Sequence, residues 1–330
     1  MSGITSTMSV LRTLAGAAAV GALLGGFAAP VLAAESGGAP HLKWSFAGIG
    51  GYFDKAQLQR GYKVYKDVCA DCHSLRLVKF RNLSEEGGPG FTEAQVKTLA
   101  AEVEVEDGVD ELGNPAKRPG RPSDAFKSPF ANETAARGAN GGALPPDLSL
   151  ITKAREAGGE TPWFMAPVKM LQDIMTGYQE GGADYLHALL NGYHEKPPAY
   201  KRENGHLTHV AETAIASEAG LERCASVTTG EDGKPDVCNT LQEGLHYNAA
   251  FPGGQIAMPQ PLTDDRVTYT DGSPQTADQY ARDLGAFLTW AADPHFETRK
   301  HVGIQALLYL ALLSFLLYFA KRQVWSRIAH

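Results

Sequence analysis

The stretch Val68-Cys-Ala-Asp-Cys-His-Ser-Leu75 decides how this chain folds. It contains Cys69-x-x-Cys72-His73, the spacing typical of covalent attachment of a c-type haem. Two thiols three residues apart lie on one face of a helix, where each can bond one haem vinyl group, and His73 follows as an iron ligand. The alternatives are a thioredoxin-like redox pair and half of a zinc site. The sequence has no surrounding βαβ pattern and no second C-x-x-C, which argues against both.

Two helices are predicted around this motif. The first begins at Asp54-x-x-Gln57, which resembles a capping box, and its inward side chains recur at helical spacing. That face holds Leu58, Tyr62, Tyr65, Cys69 and Cys72. The second begins at Thr276-x-x-Gln279, ends at Asp293-Pro294 and presents Tyr280, Leu284, Phe287 and Ala291 on one face. We expect the two to cross, with Gly61 at the closest approach to Leu284 or Phe287.

A low-spin electron carrier needs a second iron ligand, usually Met or His. Met165, Met170 and Met175 fall in a helical stripe over 163–178, where Met more often fills a core. Met258 lies in a segment rich in Pro and Gly, Phe251–Pro261, which forms no regular helix and suits a strap across a haem face. The residues favour Met258 and leave a histidine, or no second ligand, as alternatives.

Composition separates the ends of the chain from its body. Of 330 residues, 30 are Lys or Arg and 37 are Asp or Glu, which excludes a strongly basic nucleic-acid binder. Residues 1–33 resemble a secretory signal peptide, with cleavage after Ala33 or Ala34. An N-terminal membrane anchor is the alternative. The body, 34–298, holds 24 of the bases and all 37 acids, a net charge of −13.

Residues 299–321 predict one transmembrane anchor. The 19 residues from Val302 to Ala320 carry no charge and would rise about 28 Å as a helix, enough to cross a bilayer core. A buried core helix is the weaker alternative. The signal peptide sets the orientation, with the body in an oxidising compartment such as a bacterial periplasm and the tail, 322–330, in the cytoplasm.

Export also bears on Cys224 and Cys238, which lie in a polar stretch far from the haem motif. We expect a disulfide between them, and a redox-active pair is the alternative.

The acidic run from Glu102 to Glu111 has two interpretations. It is either a solvated loop or a surface that steers a basic soluble cytochrome towards the haem.

Four blocks of sequence resemble the cytochrome c1 family of bacterial type, the haem subunits of the ubiquinol–cytochrome c oxidoreductase (cytochrome bc complex). The blocks are Trp44-Ser-Phe-x-Gly48 leading into the C-x-x-C-H region and Phe80-Arg-Asn-Leu83; Asn140-Gly-Gly-Ala-Leu-Pro-Pro-Asp-Leu-Ser149 with Ala154-Arg155; Phe251-Pro-Gly-Gly-x-Ile-Ala-Met-Pro-x-Pro-Leu262; and the C-terminal anchor. Residues 158–182 and 195–250 look like insertions relative to the family.

The resemblance implies a mainly α, class I cytochrome c-like haem domain with long loop insertions plus one C-terminal transmembrane helix. It implies one covalent haem c and Met258 as the axial ligand opposite His73. It also implies that Pro145 or Pro146 offers a carbonyl to the His73 ring, that Arg155 approaches a haem propionate and that Tyr185 lies nearby.

The function implied by the resemblance is electron transfer within a membrane complex. The chain would accept an electron from a Rieske iron–sulfur protein and pass it to a soluble c-type cytochrome, with cytochrome b and membrane lipid as further partners and no nucleic acid. It would be enzymatic only as a subunit of the reductase. A membrane-anchored c-type shuttle outside such a complex and a haem-handling protein are the alternatives.

Overall fold

The computed structural model describes residues 39–48, 50–109, 113–155, 162–168, 181–215, 217–230 and 233–326. All of them belong to one compact unit, Gly37–His330. The predicted signal peptide, residues 1–33, lies outside the described residues, as do Met170, Met175 and the last four residues of the tail.

The α-helices within these residues are α1 (Lys55–Val64), α2 (Glu93–Ala101), α3 (Glu133–Ala139), α4 (Ile151–Ala154), α5 (Gly182–Asn191), α6 (Ala277–Ala292) and α7 (Phe296–Trp325). A π-helical turn, Tyr65–Cys69, continues α1, and 3₁₀ turns lie at Phe80–Ser84 and Glu212–Ala214.

The strands are short. They are β1 (Leu75–Lys79), β2 (Glu104–Val109), β3 (Pro115–Pro119), β4 (Ala125–Phe126), β5 (Ala199–Glu203), β6 (His206–Val210), β7 (Leu221–Arg223), β8 (Ser226–Thr229), β9 (Pro235–Asn239), β10 (His246–Tyr247) and β11 (Gln255–Ile256). All pairs are antiparallel: β1 with β4, β2 with β3, β5 between β6 and β7, β8 with β9, and β10 with β11. Strands β5 to β9 all fall in the predicted insertion at 195–250.

Helices α1 and α6 cross as predicted. Asp54 caps α1 by accepting hydrogen bonds from the backbone N–H groups of Ala56 (2.9 Å) and Gln57 (3.4 Å), and Thr276 caps α6. At the crossing, a Cβ on Gly61 would lie 2.1 Å from the Asp283 carbonyl oxygen and 2.6 Å from the Phe287 Cβ. Only glycine allows the helices to approach so closely.

A buried carboxylate reinforces this crossing. Asp283 of α6 is fully buried and accepts hydrogen bonds from Arg60 Nε, the Tyr269 hydroxyl and Gln279 Nε2, each at 2.9 Å. Arg60 also pairs with Asp271 at 2.8 Å. Because these donors compensate the buried negative charge, the network holds α1 and α6 in one relative position.

The predicted helix through Cys72 is wrong at its C-terminal end. Helix α1 ends at Val64, and the next turn is π-helical, with the Ala70 N–H donating to the Tyr65 carbonyl at 2.8 Å. A π turn adds one residue to the turn, so the 3.6-residue periodicity of α1 does not continue to Cys72. Cys69 closes the π turn, and Cys72 lies in the turn that follows.

Helix α5 packs against both α4 and α6. Its start is tight: a Cβ on Gly182 would lie 1.7 Å from the Thr152 carbonyl oxygen of α4. The buried Asp184 accepts hydrogen bonds from Trp44 Nε1 (2.7 Å) and the Leu42 N–H (3.1 Å), which fasten the segment before α1 to α5. The core of the domain is therefore helical, around α1, α5 and α6.

Helix α7 is the one described helix long and apolar enough to cross a membrane. It starts three residues before the predicted anchor, and its side chains from residue 301 onward are exposed. Its first turns bind the segment before α1. The Lys300 ammonium donates to the carbonyls of Phe46 (2.7 Å) and Gly48, and Glu297 accepts from the Phe53 N–H at 2.6 Å.

Candidate haem-binding site

His73 is oriented by a backbone carbonyl. Its Nδ1 lies 2.7 Å from the carbonyl oxygen of Pro146. Because a carbonyl only accepts, Nδ1 carries the hydrogen, and the lone pair of the neutral ring is on Nε2. Burial lowers the pKa of His73, with the carbonyl acting in the opposite direction. A neutral imidazole with Nε2 available is the form that binds a metal ion.

The C-x-x-C-H turn is held against the helical core. The Tyr65 hydroxyl donates to the His73 carbonyl at 3.1 Å, and the His73 N–H donates to the Cys69 carbonyl at 2.8 Å. Both Cys69 and Cys72 are half-buried free thiols. Burial, with a contribution from Cys72, raises the pKa of the Cys69 thiol to about 12, so this thiol is protonated at neutral pH.

The segment that carries Pro146 is joined to the chain directly after His73. Asp147 Oδ2 accepts from the Ser74 hydroxyl at 2.7 Å and from the Arg76 N–H at 2.9 Å, while its Oδ1 accepts from the Ser149 N–H at 2.9 Å. The Leu148 N–H donates to the Ser74 carbonyl at 2.9 Å. These bonds fix the Pro146 carbonyl beside the imidazole.

Met258 lies in an irregular segment between β11 and the core, as predicted for a strap. The Tyr193 hydroxyl donates to the Met258 carbonyl at 3.0 Å. Leu262, four residues later, is fully buried in the hydrophobic cluster that also contains Tyr65 and Leu75, on either side of the C-x-x-C-H turn. The strap and the haem motif therefore rest on one core.

Arg155 follows α4 and Tyr185 lies in α5, which packs against α4, while Tyr193 follows the end of α5. Burial raises the pKa of Tyr185, and the positive charge of Arg155 acts against this rise. Burial also raises the pKa of Tyr193, with a contribution from Tyr185. Arg155 and Tyr185 therefore belong to packed helical segments, and Tyr193 joins the end of α5 to the Met258 strap. Arg155 itself is exposed at the end of α4.

The predicted disulfide between Cys224 and Cys238 is present and links strand β9 to the connection between β7 and β8. The hairpin lies against the start of the strap, because a Cβ on Gly254 would meet the Ala225 carbonyl oxygen at 1.9 Å. Gly254 also has a φ of +70°, a conformation that favours glycine. Part of the predicted insertion at 195–250 therefore contacts the segment that leads to Met258.

Part of the acidic run is a solvent-exposed strand, and not the loop that one of its two interpretations predicts. Residues Glu104–Val109 form β2, paired with β3. Three of the acids bind bases: Glu102 with Lys66 at 2.5 Å, Glu104 with Lys117 at 3.2 Å and Asp107 with Arg118 at 3.0 Å. Asp110 and Glu111 lie outside the described residues. Because these bases lie beside the acids, the local negative charge available for steering is smaller than the number of acids in the run suggests.

The residues present fit a covalent haem. Two half-buried thiols precede an imidazole whose Nε2 could bind iron, and Met258 carries a thioether on a strap fastened to the same core. Met165, the other described methionine of the mature region, is exposed in a turn. Sequence reasoning missed Asp147 and Tyr193. The Asp-x-Ser turn at 147–149 was the available signal for the first.

Comparisons with known proteins agree with this site. Residues 44–328 match the model of the Cytochrome C1 family. The chain is 46% identical over 287 residues to the cytochrome b/c1 of Bradyrhizobium diazoefficiens, covering 87% of this chain and about a third, 35%, of that longer protein. It is 38% identical over 312 residues to the cytochrome c1 of Blastochloris viridis, covering 93% of this chain and 94% of the relative.

The similarity extends to mitochondrial proteins. The chain is 39% identical over 297 residues to the mitochondrial cytochrome c1 haem protein of Saccharomyces cerevisiae, covering 90% of this chain and 75% of the relative. The match of the family model spans the C-x-x-C-H turn, the Pro146 segment, the Met258 strap and helix α7. The chain therefore belongs to the cytochrome C1 family, whose members carry one covalently bound haem c.

Proposed function

We propose that this chain is the haem-bearing electron-transfer subunit of a cytochrome bc complex. The single observation that supports this most is the hydrogen bond from His73 Nδ1 to the Pro146 carbonyl directly after Cys69-x-x-Cys72. It prepares an iron ligand at the position that a covalent haem requires. When bound, the haem supplies reversible one-electron chemistry at its iron.

The residues of the chain have separate roles in this proposal. Cys69 and Cys72 would form the thioether bonds, and His73 and Met258 would bind the haem iron. A thioether ligand favours ferrous iron and raises the reduction potential above that of a bis-histidine site. Arg155 balances the charge of a haem propionate, with Tyr185 beside it. No residue of the chain makes or breaks substrate bonds, so the chain is enzymatic only as part of a quinol–cytochrome-c reductase.

We further propose the topology that the sequence suggests. Residues 1–33 are a signal peptide, residues 34–298 form the haem domain in the periplasm, and residues 299–321 span the bacterial inner membrane, leaving 322–330 in the cytoplasm. The exposed apolar side chains of α7 support the membrane span, because so many exposed leucines are unfavourable in water.

The partners follow from family membership. Cytochrome b is the expected neighbour of α7, and the name of the Bradyrhizobium relative joins cytochrome b and c1 in one protein. The haem domain would accept an electron from a Rieske iron–sulfur protein and pass it to a soluble c-type cytochrome. The acidic run from Glu102 to Glu111 is the proposed steering surface for that last partner.

Purification of the full chain from membranes in mild detergent tests the main proposal. We expect one haem c per chain by the pyridine haemochrome spectrum, with the haem retained in denaturing gels, and a cytochrome b spectrum in the same complex. Cys72→Ser should lose one thioether bond, while Cys224→Ser should leave the haem attachment intact. A chain with haem c but no cytochrome b would identify an anchored shuttle instead. A chain without haem c would refute both.

The docking surface is tested by kinetics. Replacement of Glu102, Glu104 and Glu106 by Gln should slow the association with a basic soluble cytochrome c at low salt and have little effect at high salt. Glu133→Gln, another exposed acid outside the run, is the control. A rate that is equal to that of the wild type across salt concentrations would exclude the acidic run as the docking surface.

A further inference from the structure

The side chain of Asp147 connects two segments of the haem site. Its two oxygens accept three hydrogen bonds, from the Ser74 hydroxyl, the Arg76 N–H and the Ser149 N–H, at 2.7–2.9 Å. Ser74 follows His73 directly, and Asp147 follows Pro146 directly. One carboxylate therefore joins the chain just after the imidazole to the chain just after the carbonyl that the imidazole binds.

We propose that Asp147 is a positioning residue for the iron ligand His73, acting through the Pro146 carbonyl. This inference rests on the proposed haem function. Proline has no N–H, so Pro146 itself donates no backbone hydrogen bond that would fix its position. Its carbonyl is held through the residues that follow, by the three bonds to Asp147 and by the Leu148 N–H donating to the Ser74 carbonyl at 2.9 Å.

A carboxylate suits this position better than an amide does. All three partners of Asp147 are donors, and an ionised carboxylate only accepts. Burial would raise the pKa of Asp147, but the hydrogen bonds from Arg76, Ser149 and Ser74 outweigh it and hold the pKa below its usual range. An asparagine would turn an N–H group towards the Arg76 N–H or the Ser149 N–H, and one of these bonds would be lost.

Asp147 lowers the reduction potential of the site in two ways. A fixed Pro146 carbonyl keeps the Nδ1 hydrogen bond short, which makes the ring a stronger ligand and favours the ferric state. The negative charge of Asp147 also lies beside Ser74, the residue after His73, and favours the more positive state of the site. Loss of Asp147 should therefore raise the reduction potential and loosen the orientation of the His73 ring.

Redox titration of the full chain in its membranes tests the proposal, together with the EPR spectrum of the ferric haem. For Asp147→Asn we expect a threefold to tenfold lower ferric-to-ferrous ratio at a fixed ambient potential, a rise of about 30–60 mV at 59 mV per tenfold change. The largest g value should shift or broaden, because it depends on the orientation of the imidazole. Ser74→Ala removes one bond without a change of charge and should give a smaller shift in the same direction.

Asp271→Asn is the matched control. Asp271 also forms an Asp-x-Ser turn, accepting from the Ser273 N–H at 3.0 Å and the Ser273 hydroxyl at 2.9 Å, but it binds Arg60 rather than the haem turn. It should leave the potential and the EPR spectrum unchanged. Asp147→Glu keeps the charge and moves the oxygens, so it should restore much of the potential but not the g value.

Failure of the inference about Asp147 and failure of the proposed haem function give different results. Equal potentials and g values in Asp147→Asn, Ser74→Ala and the wild type would overturn the inference about Asp147. If Asp147→Asn fails to accumulate, Ser74→Ala and Asp147→Glu decide by the same two measurements. A wild-type chain without a c-type spectrum would instead refute the proposed function, and with it the basis for this inference.

Discussion

Replacement of Gly61 by alanine should separate the two helices that form the core of the haem domain. The added Cβ would lie 2.1 Å from the Asp283 carbonyl oxygen and 2.6 Å from the Phe287 Cβ, far inside normal van der Waals contact. Both neighbours belong to α6, so no flexible side-chain end can move aside. The helices must shift apart, and the hydrogen bonds of the buried Asp283 carboxylate would be strained with them.

The magnitude follows from two opposing effects. Overpacking of this kind costs about 3 kcal/mol, the upper end of the usual range. Alanine in place of a helical glycine recovers about 1 kcal/mol of helix propensity. The net loss of about 2 kcal/mol corresponds to a fall in Tm of about 4–8 °C for a domain of this size.

Thermal unfolding of the detergent-solubilised, haem-loaded chain measures this effect, followed by circular dichroism at a fixed scan rate. Gly138→Ala is the control, because Gly138 lies in α3 with nothing within 4 Å of the added Cβ. Helix propensity alone acts there, so Gly138→Ala should unfold at the wild-type temperature or slightly above. A Gly61→Ala chain as stable as the Gly138→Ala chain would refute the close helix crossing.

Three further predictions concern other parts of the molecule. Met258→Leu should lower the reduction potential sharply, since it removes the proposed thioether ligand, whereas Met165→Leu should leave the potential unchanged. A redox titration in which Met258→Leu has the wild-type potential would exclude Met258 as a ligand. Lys300→Met should lower the free energy of unfolding by about 1–3 kcal/mol, because half-buried carbonyls before α1 lose their donor. Limited proteolysis should then cut residues 44–53 faster, and an unchanged cleavage rate would contradict this. Arg118 holds the pKa of Asp124 to about 2, so this carboxylate stabilises the fold above its ordinary pKa near 4 and loses that contribution as the pH falls towards 2. In acid titrations Asp124→Asn should flatten this step, and a step of equal size in the variant would assign it to other groups.

The sequence was sufficient for several features because they depend on local chemistry. The caps at Asp54 and Thr276, the buried face of α6 and the irregular strap around Met258 follow from spacing and from proline and glycine content. The close approach at Gly61 was predicted to involve Leu284 or Phe287. The structure confirms Phe287 and adds the backbone of Asp283, which no side-chain pattern could indicate.

Other features depended on contacts between distant segments. The π turn at Tyr65–Cys69 interrupts a periodicity that fits a continuous helix by side-chain pattern alone. The acidic run became strand β2 because β3 supplies both a hydrogen-bonding partner and basic side chains, which outweigh the local preference of charged residues for solvated loops.

The order of two thiols, an imidazole and a methionine along the chain was enough to predict one cofactor, and the long uncharged stretch after residue 301 was enough to predict helix α7. The tertiary structure alone decided which groups hold those ligands in place. The Pro146 carbonyl lies 73 residues from His73, and Tyr193 lies 65 residues from Met258. Hydrogen bonds between such distant residues form only after the helices have packed, because the packing of the chain, and not local preference, brings their atoms within reach.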